Sequence, residues 1–298
     1  MKNSVLFLML IVKMSSAQET EQQPMSEEYY LKKIDSINNS FKYQEGIIFL
    51  EEGIAEIDVP KGYKFLDSKQ SKYVLSELWG RPSSKILGML FPKTTDPISQ
   101  YFSYAIEITY SEEGYIDDEG FKDIDYDELL ETMQEDTKAS NEGRMNQGHP
   151  IMELLGWVSA PFYDKATNKL HWAKEIKFEG EDKHTLNYDI RVLGRKGYLN
   201  LNAIGTIDVL AAFRKDVDQI LNSVKFTEGN SYTDFDPEFD KVAAYGIDGL
   251  ITGNLLAKTG FIVLILKFWE IIALGVIGLL IGFKNKILGK KEDNGESD

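Results

Sequence analysis

The chain has 298 residues, a formal net charge of −15, no cysteine and three histidines. So acidic a surface argues against nucleic acid or anionic lipid as a partner, since both would be repelled. Without cysteine there are no disulfides or thiolate metal sites, so a folded domain must rest on its own hydrophobic core.

Lys2, the eight apolar residues from Val5 to Val12, and the small residues Ser15, Ser16 and Ala17 form the three parts of a secretion signal. As a helix, the apolar stretch reaches only about 12 Å, short of the roughly 30 Å hydrocarbon core. Residues 1–17 therefore read as a signal peptide cleaved after Ala17, with an uncleaved anchor as the rival; Lys13 suits neither. Residues 18–40 read as a polar lead and a short helix, striped by Met25, Tyr29, Tyr30, Leu31, Ile34 and Ile37.

Residues 41–240 follow as the exported domain. Residues 46–60 predict two strands about a turn at Glu52-Gly53. Residues 68–78 have helical spacing (Tyr73, Val74, Leu78) and stop at Gly80 and Pro82. Residues 86–91 and 101–110 read as strands, the second alternating Phe102, Tyr104, Ile106 and Ile108. An acidic run comes next: Asp117, Asp118, Glu119, Asp123, Asp125, Asp127 and Glu128. It is no calcium loop of the EF-hand type, because Glu128 holds the position that needs glycine and Gln134 the one that needs glutamate. Carboxylates capping a helix that runs from Asp125 through Leu129, Leu130 and Met133 towards Asn141 are the default reading. Weak calcium binding is the alternative.

Two hairpins complete the sheet. The first joins residues 151–162 to 170–178 through 164–168, placing Trp157 and Trp172 on adjacent strands. They read as buried cross-strand core, or as an aromatic platform for sugars or peptides. The second joins 186–193 to 198–204 across a turn at Arg195-Lys196. That loop pairs Ile190 with Leu201 and Val192 with Leu199 on one face. The other face sets Asp189 opposite Asn202 and Arg191 opposite Asn200, with Asn187 further along. This polar face reads as solvated, with a local Asp189–Arg191 pair; a ligand-contacting patch is the sharper reading. Residues 206–224 predict a helix through Val209, Leu210, Phe213, Val217, Ile220 and Leu221. The sum is an α+β domain of antiparallel hairpins with interspersed helices, plus one C-terminal transmembrane helix.

Residues 241–259 contain Asp248, Asn254 and Lys258 and read as a juxtamembrane helix. Residues 260–283 are apolar enough to span, at about 36 Å as a helix. Lys284, Lys286, Lys290 and Lys291 follow, marking residues 284–298 as a cytoplasmic tail and the domain as exported. Setting aside the leader's two lysines and the neutral span and tail, residues 18–259 carry a net charge of −17. Lys267 and Glu270 share one face of the span: they neutralise each other, face a partner helix, or serve a proton or ion path. Gly278 and Gly282, like Gly249 and Gly253 before them, have the spacing that lets helix backbones approach.

No Gly-x-Ser-x-Gly, P-loop or dinucleotide fingerprint is present, and His149, His171 and His184 lack ligand spacing, so no cofactor or metal is expected. Several stretches resemble a widespread bacterial family of uncharacterised membrane-anchored proteins, a domain of unknown function. They are Ser76-Glu-Leu-Trp-Gly80, Tyr110-Ser-Glu-Glu-Gly-Tyr-Ile-Asp-Asp118, Leu155-Gly-Trp-Val158, Pro161-Phe-Tyr-Asp164, Lys169-Leu-His-Trp-Ala173, Leu186-Asn-Tyr-Asp-Ile-Arg-Val-Leu-Gly-Arg195 and Asp240-Lys-Val-Ala-Ala-Tyr-Gly246. The chain departs from the pattern at Gly120. The resemblance implies bacterial origin, export and a C-terminal anchor; it supplies no activity. The expected role is a single-pass envelope protein of the inner membrane whose domain binds a protein partner or its own copies. The alternative is an enzyme acting on wall sugar or peptide, with a carboxylate beside Arg191 or Trp172.

Overall fold

Alternating apolar residues and long-range strand pairing organise the chain into two sheets, seen in a computed structural model that describes residues 27–79, 85–99, 102–146 and 148–252. The expected signal peptide (1–17), span (260–283, with Lys267, Glu270, Gly278 and Gly282) and tail (284–298) lie outside the described residues. Among the described residues, no helix is long and apolar enough to cross a membrane.

After helix α1 (Glu27–Asn38) come β1 (Ile47–Leu50) and β2 (Ala55–Asp58), an antiparallel hairpin over the expected turn. Strand β3 (Tyr63–Asp67) leads into α2 (Ser68–Tyr73), which Asp67 caps by accepting from the Gln70 amide at 2.8 Å. The helix expected over 68–78 is α-helical only in this first part; Val74–Leu78 continues as a π turn. Strands β4 (Ile86–Pro92) and β5 (Tyr104–Ser111) precede α3 (Tyr126–Asn146), a turn longer than its spacing indicated. Asp125 caps α3, accepting from the amides of Asp127 (3.0 Å) and Glu128 (3.2 Å), as the default reading of the acidic run required. Then follow β6 (Met152–Asp164), β7 (Lys169–Phe178), β8 (Thr185–Leu193), β9 (Tyr198–Thr206), α4 (Leu210–Ser223), β10 (Val224–Phe226) and α5 (Ile247–Thr252).

The seven-stranded antiparallel sheet has the order β3-β4-β5-β9-β8-β7-β6, and a small sheet has the order β1-β2-β10. Five successive residues are buried in β5 and in β8. A strand buried on alternate positions faces water on one side; an unbroken run requires both faces covered. On one face, Phe213 and Ile220 of α4 and the inner residues of the small sheet pack on Tyr104, Ile106, Ile190 and Leu201. Lys169 closes this layer from β7 by donating to the Leu221 carbonyl in the last turn of α4, a cation at the negative end of a helix. The other face is covered in patches. The α2 region packs on β4 and β5, α3 on β6 and β7, and α5 on Leu170 and Trp172.

Residues 241–246 precede α5 and are not helical. Val242 makes a parallel bridge with Tyr115, and Arg195 holds Asp240 at 2.6 Å. Residues beyond 252 lie outside the described part.

Candidate functional site

The second hairpin has the register its turn predicts: Asp189 opposite Asn202, Arg191 opposite Asn200, Ile190 opposite Leu201 and Val192 opposite Leu199. Pairing extends the polar face in both directions. Trp172 of β7 lies opposite Asp189 and Lys174 opposite Asn187, while Glu107 of β5 lies opposite Asn202. Six of the seven residues singled out in the domain's sequence therefore share one patch, and Lys174 and Glu107 join them. The sequence signal for both was the same two-residue alternation, continued onto strands whose neighbours were not known.

The solvated face expected here is corrected by the structure: Asn187, Asp189, Asn202, Glu107 and Lys174 are all buried. The roof is Ile247, Leu250 and Ile251 of α5, with Ile116 and Tyr232, in one cluster with Trp172. Beneath it Asp189 gathers three donors. Asn202 donates its amide at 3.0 Å, Arg191 approaches at 3.2 Å and Lys174 at 3.4 Å. Arg191 also donates to Asn200, and its guanidinium lies 5.0 Å from the ring centre of Trp172 and 5.6 Å from that of Tyr198. Burial lowers the affinity of Lys174 for its proton, and Asp189 opposes that shift. Two polar atoms in the cluster, Trp172 Nε1 and Arg191 Nε, have no hydrogen-bond partner among the described residues.

Of the two readings of the tryptophans, buried cross-strand core holds for Trp172. Trp172 is 1 % exposed and belongs to the core. Trp157 is half-buried beside α3, pairs across strands with Lys174, and donates its indole N–H to the Tyr126 carbonyl at 3.1 Å. Trp172 presents no free ring face to a sugar.

Two smaller polar groups sit on the opposite face. The Tyr63 and Tyr104 hydroxyls bond to one another, and Tyr63 reaches Asp216 of α4 at 3.1 Å. His171 Nδ1 meets the Tyr188 hydroxyl at 2.8 Å, and burial lowers the proton affinity of that imidazole. Among the described residues, no group of three or more His, Asp or Glu is placed to hold a metal ion. Chemically, the main cluster is a carboxylate saturated by cations and an amide beneath an apolar roof. Such an arrangement fixes strand register and charge balance beneath that roof.

No curated protein matches the sequence. Among solved structures, the chain is similar to cyanobacterial PsbP (CyanoP) from Synechocystis sp. PCC 6803, at 13% identity over 62% of this chain and 92% of that one, with a TM-score of 0.35. It is also similar to the Ran-binding protein Mog1p of Saccharomyces cerevisiae, at 8% identity over 66% and 100%, with a TM-score of 0.34. The family model described as "Protein of unknown function (DUF2167)" matches residues 42–281, and the chain belongs to that family.

Proposed function

We propose that the chain is an exported envelope protein, held to the inner membrane by residues 260–283, whose domain binds a protein partner or its own copies instead of catalysing a reaction. The observation that carries this reading is the closure of its most chemically endowed cluster. The Asp189 carboxylate is held by Asn202, Arg191 and Lys174 under α5, so it is not presented to a substrate. The anchored placement is supported by sequence: the family match runs to residue 281, so the apolar stretch travels with the domain. Lys267, Glu270, Gly278 and Gly282 then offer one helix face for association with another span.

Site-specific photocrosslinking in cells, at exposed positions around the domain and along the span, tests the role. Discrete crosslinked products are expected. No product at any position, from a chain shown to be folded, would remove it. Placement is tested separately by adding protease to spheroplasts, which should degrade residues 18–259 and spare the tail.

A further inference from the structure

The small sheet has an open edge. Its order puts β1 outermost, and no other described strand lies beside it. The Gly46 carbonyl accepts the Val59 amide at 2.9 Å. In an antiparallel pair such bonds fall on alternate residues, so Ile48 and Leu50 direct their backbone groups at β2. Those of Ile47 and Phe49 point away from the sheet, with nothing described to receive them. The same two residues carry exposed apolar side chains, Ile47 at 61 % and Phe49 at 66 %. Ile48 and Leu50 face inward and are packed in the main core. Exposed apolar side chains thus coincide with free backbone donors and acceptors on one short edge, the combination that captures an added strand.

The charges around this edge select its occupant. Glu51 and Glu52 follow the strand and Asp58 lies opposite Ile47; all three are exposed, with no ion pair to any described residue. Glu56, opposite Phe49, is held by Lys225 at 3.1 Å, and Glu45 by Lys93 at 2.7 Å. Glu51 and Glu52 also occupy left-handed backbone, φ 43° and 56°, where glycine or asparagine sits at lower cost. A second copy pairing antiparallel through β1, centred on Ile48, would set Glu51 against Glu45 of the other copy, a like-charge arrangement that opposes association. An anionic lipid surface is disfavoured on the same ground.

We infer that β1 is a docking edge for an extended segment of a partner protein in which basic residues flank a short apolar run. The segment would add as a fourth strand, setting its apolar side chains beside Ile47 and Phe49 and its basic ends near Glu51 and Glu52 on one side and Asp58 on the other. This deepens the proposed binding role and rests on it.

The test uses the full-length protein in detergent and two labelled synthetic peptides, a short isoleucine–threonine run flanked by lysines and the same run flanked by glutamates. The lysine peptide should bind and slow hydrogen exchange at the Ile47 and Phe49 amides. Its affinity should fall by about tenfold or more, a loss of roughly 1.4 kcal/mol, in Ile47→Asp/Phe49→Asp. The pair Glu51→Lys/Glu52→Lys should transfer the preference to the glutamate peptide. Circular dichroism checks that both variants keep the fold. Equal binding of the two peptides by the parent protein, or binding without protection of those amides, would overturn the assignment. So would a concentration-dependent dimer, or sedimentation with phosphatidylglycerol vesicles, that the Ile47→Asp/Phe49→Asp change abolishes. Crosslinks in cells from other surfaces with none from Phe49 would overturn the β1 edge and leave the binding role standing.

Discussion

The Asn202 amide donates to Asp189 Oδ1 at 3.0 Å across β8 and β9, one of three contacts that make this carboxylate the hub of a buried charged cluster. Removing the hub leaves Lys174 and Arg191 with uncompensated charge beneath an apolar roof. Breaking a buried pair in this way costs about 3–5 kcal/mol. Asp189→Ala should show that loss in the urea midpoint of the full-length protein, followed by tryptophan fluorescence. Asp189→Asn should cost nearly as much, since it restores a hydrogen bond but no charge. In Asp189→Leu/Lys174→Met/Arg191→Met the charges leave together and most of the stability should return. An Asp189→Ala protein as stable as its parent would show that the three charges are not coupled.

Alkali should unfold the domain through its buried tyrosines. Burial pushes the hydroxyls of Tyr104, Tyr110 and Tyr188 from 10.0 up to about 12. Below pH 10 both folded and unfolded chains hold these protons, and stability is unaffected. Between 10 and about 12 the unfolded chain releases them first, so stability falls as pH rises. Lys169 and Lys174 have the opposite sign. Burial lowers their values, so the unfolded chain binds the extra protons just below the ordinary lysine range and stability rises with pH there. Urea midpoints measured across pH should therefore climb slightly and then drop. Lys174→Met should flatten the climb and leave the drop, while a drop that begins well below pH 10 would contradict the tyrosine assignment.

The sequence made the hairpins and their register legible because strand alternation is local. A two-residue turn at Arg195-Lys196 settles which residues of β8 and β9 face one another. Burial of the polar face was not legible. It depends on α5, a six-residue helix some sixty positions from Asp189 in the chain, and on Ile116 and Tyr232. A six-residue helix is too short to give a periodic signal of its own. Lys174 was missed for a related reason: it joins the cluster only once β7 is known to pair with β8 in a register that puts Trp172 opposite Asp189. The small sheet combines β10 with β1 and β2, segments from opposite ends of the domain, so the open edge at Ile47 and Phe49 appears only after folding. Three register shifts bend β6 against β7, and they bring Trp157 opposite Lys174, a pairing that a straight count back from the turn does not give.

Gly194 and Phe226 join the two sheets, and their fit predicts a steric coupling. A Cβ at Gly194 would come within 2.5–2.8 Å of three atoms of the Phe226 ring. That ring is wedged against Tyr110, centroids 6.3 Å apart and edge-on, so it must shift as a body. Overpacking of this kind costs about 1–3 kcal/mol, and Gly194→Ala should lose that much in the urea midpoint. Phe226→Leu removes the edge that collides, so Gly194→Ala should cost clearly less in its presence, a coupling that a double-mutant cycle measures directly. Gly156→Ala is the control: nothing lies within 4 Å of its added methyl, and glycine in a strand interior carries an entropic cost, so stability should hold or rise slightly. Equal losses at Gly194 with and without the phenylalanine would mean that the contact between the sheets tolerates an added methyl and that the loss has another source.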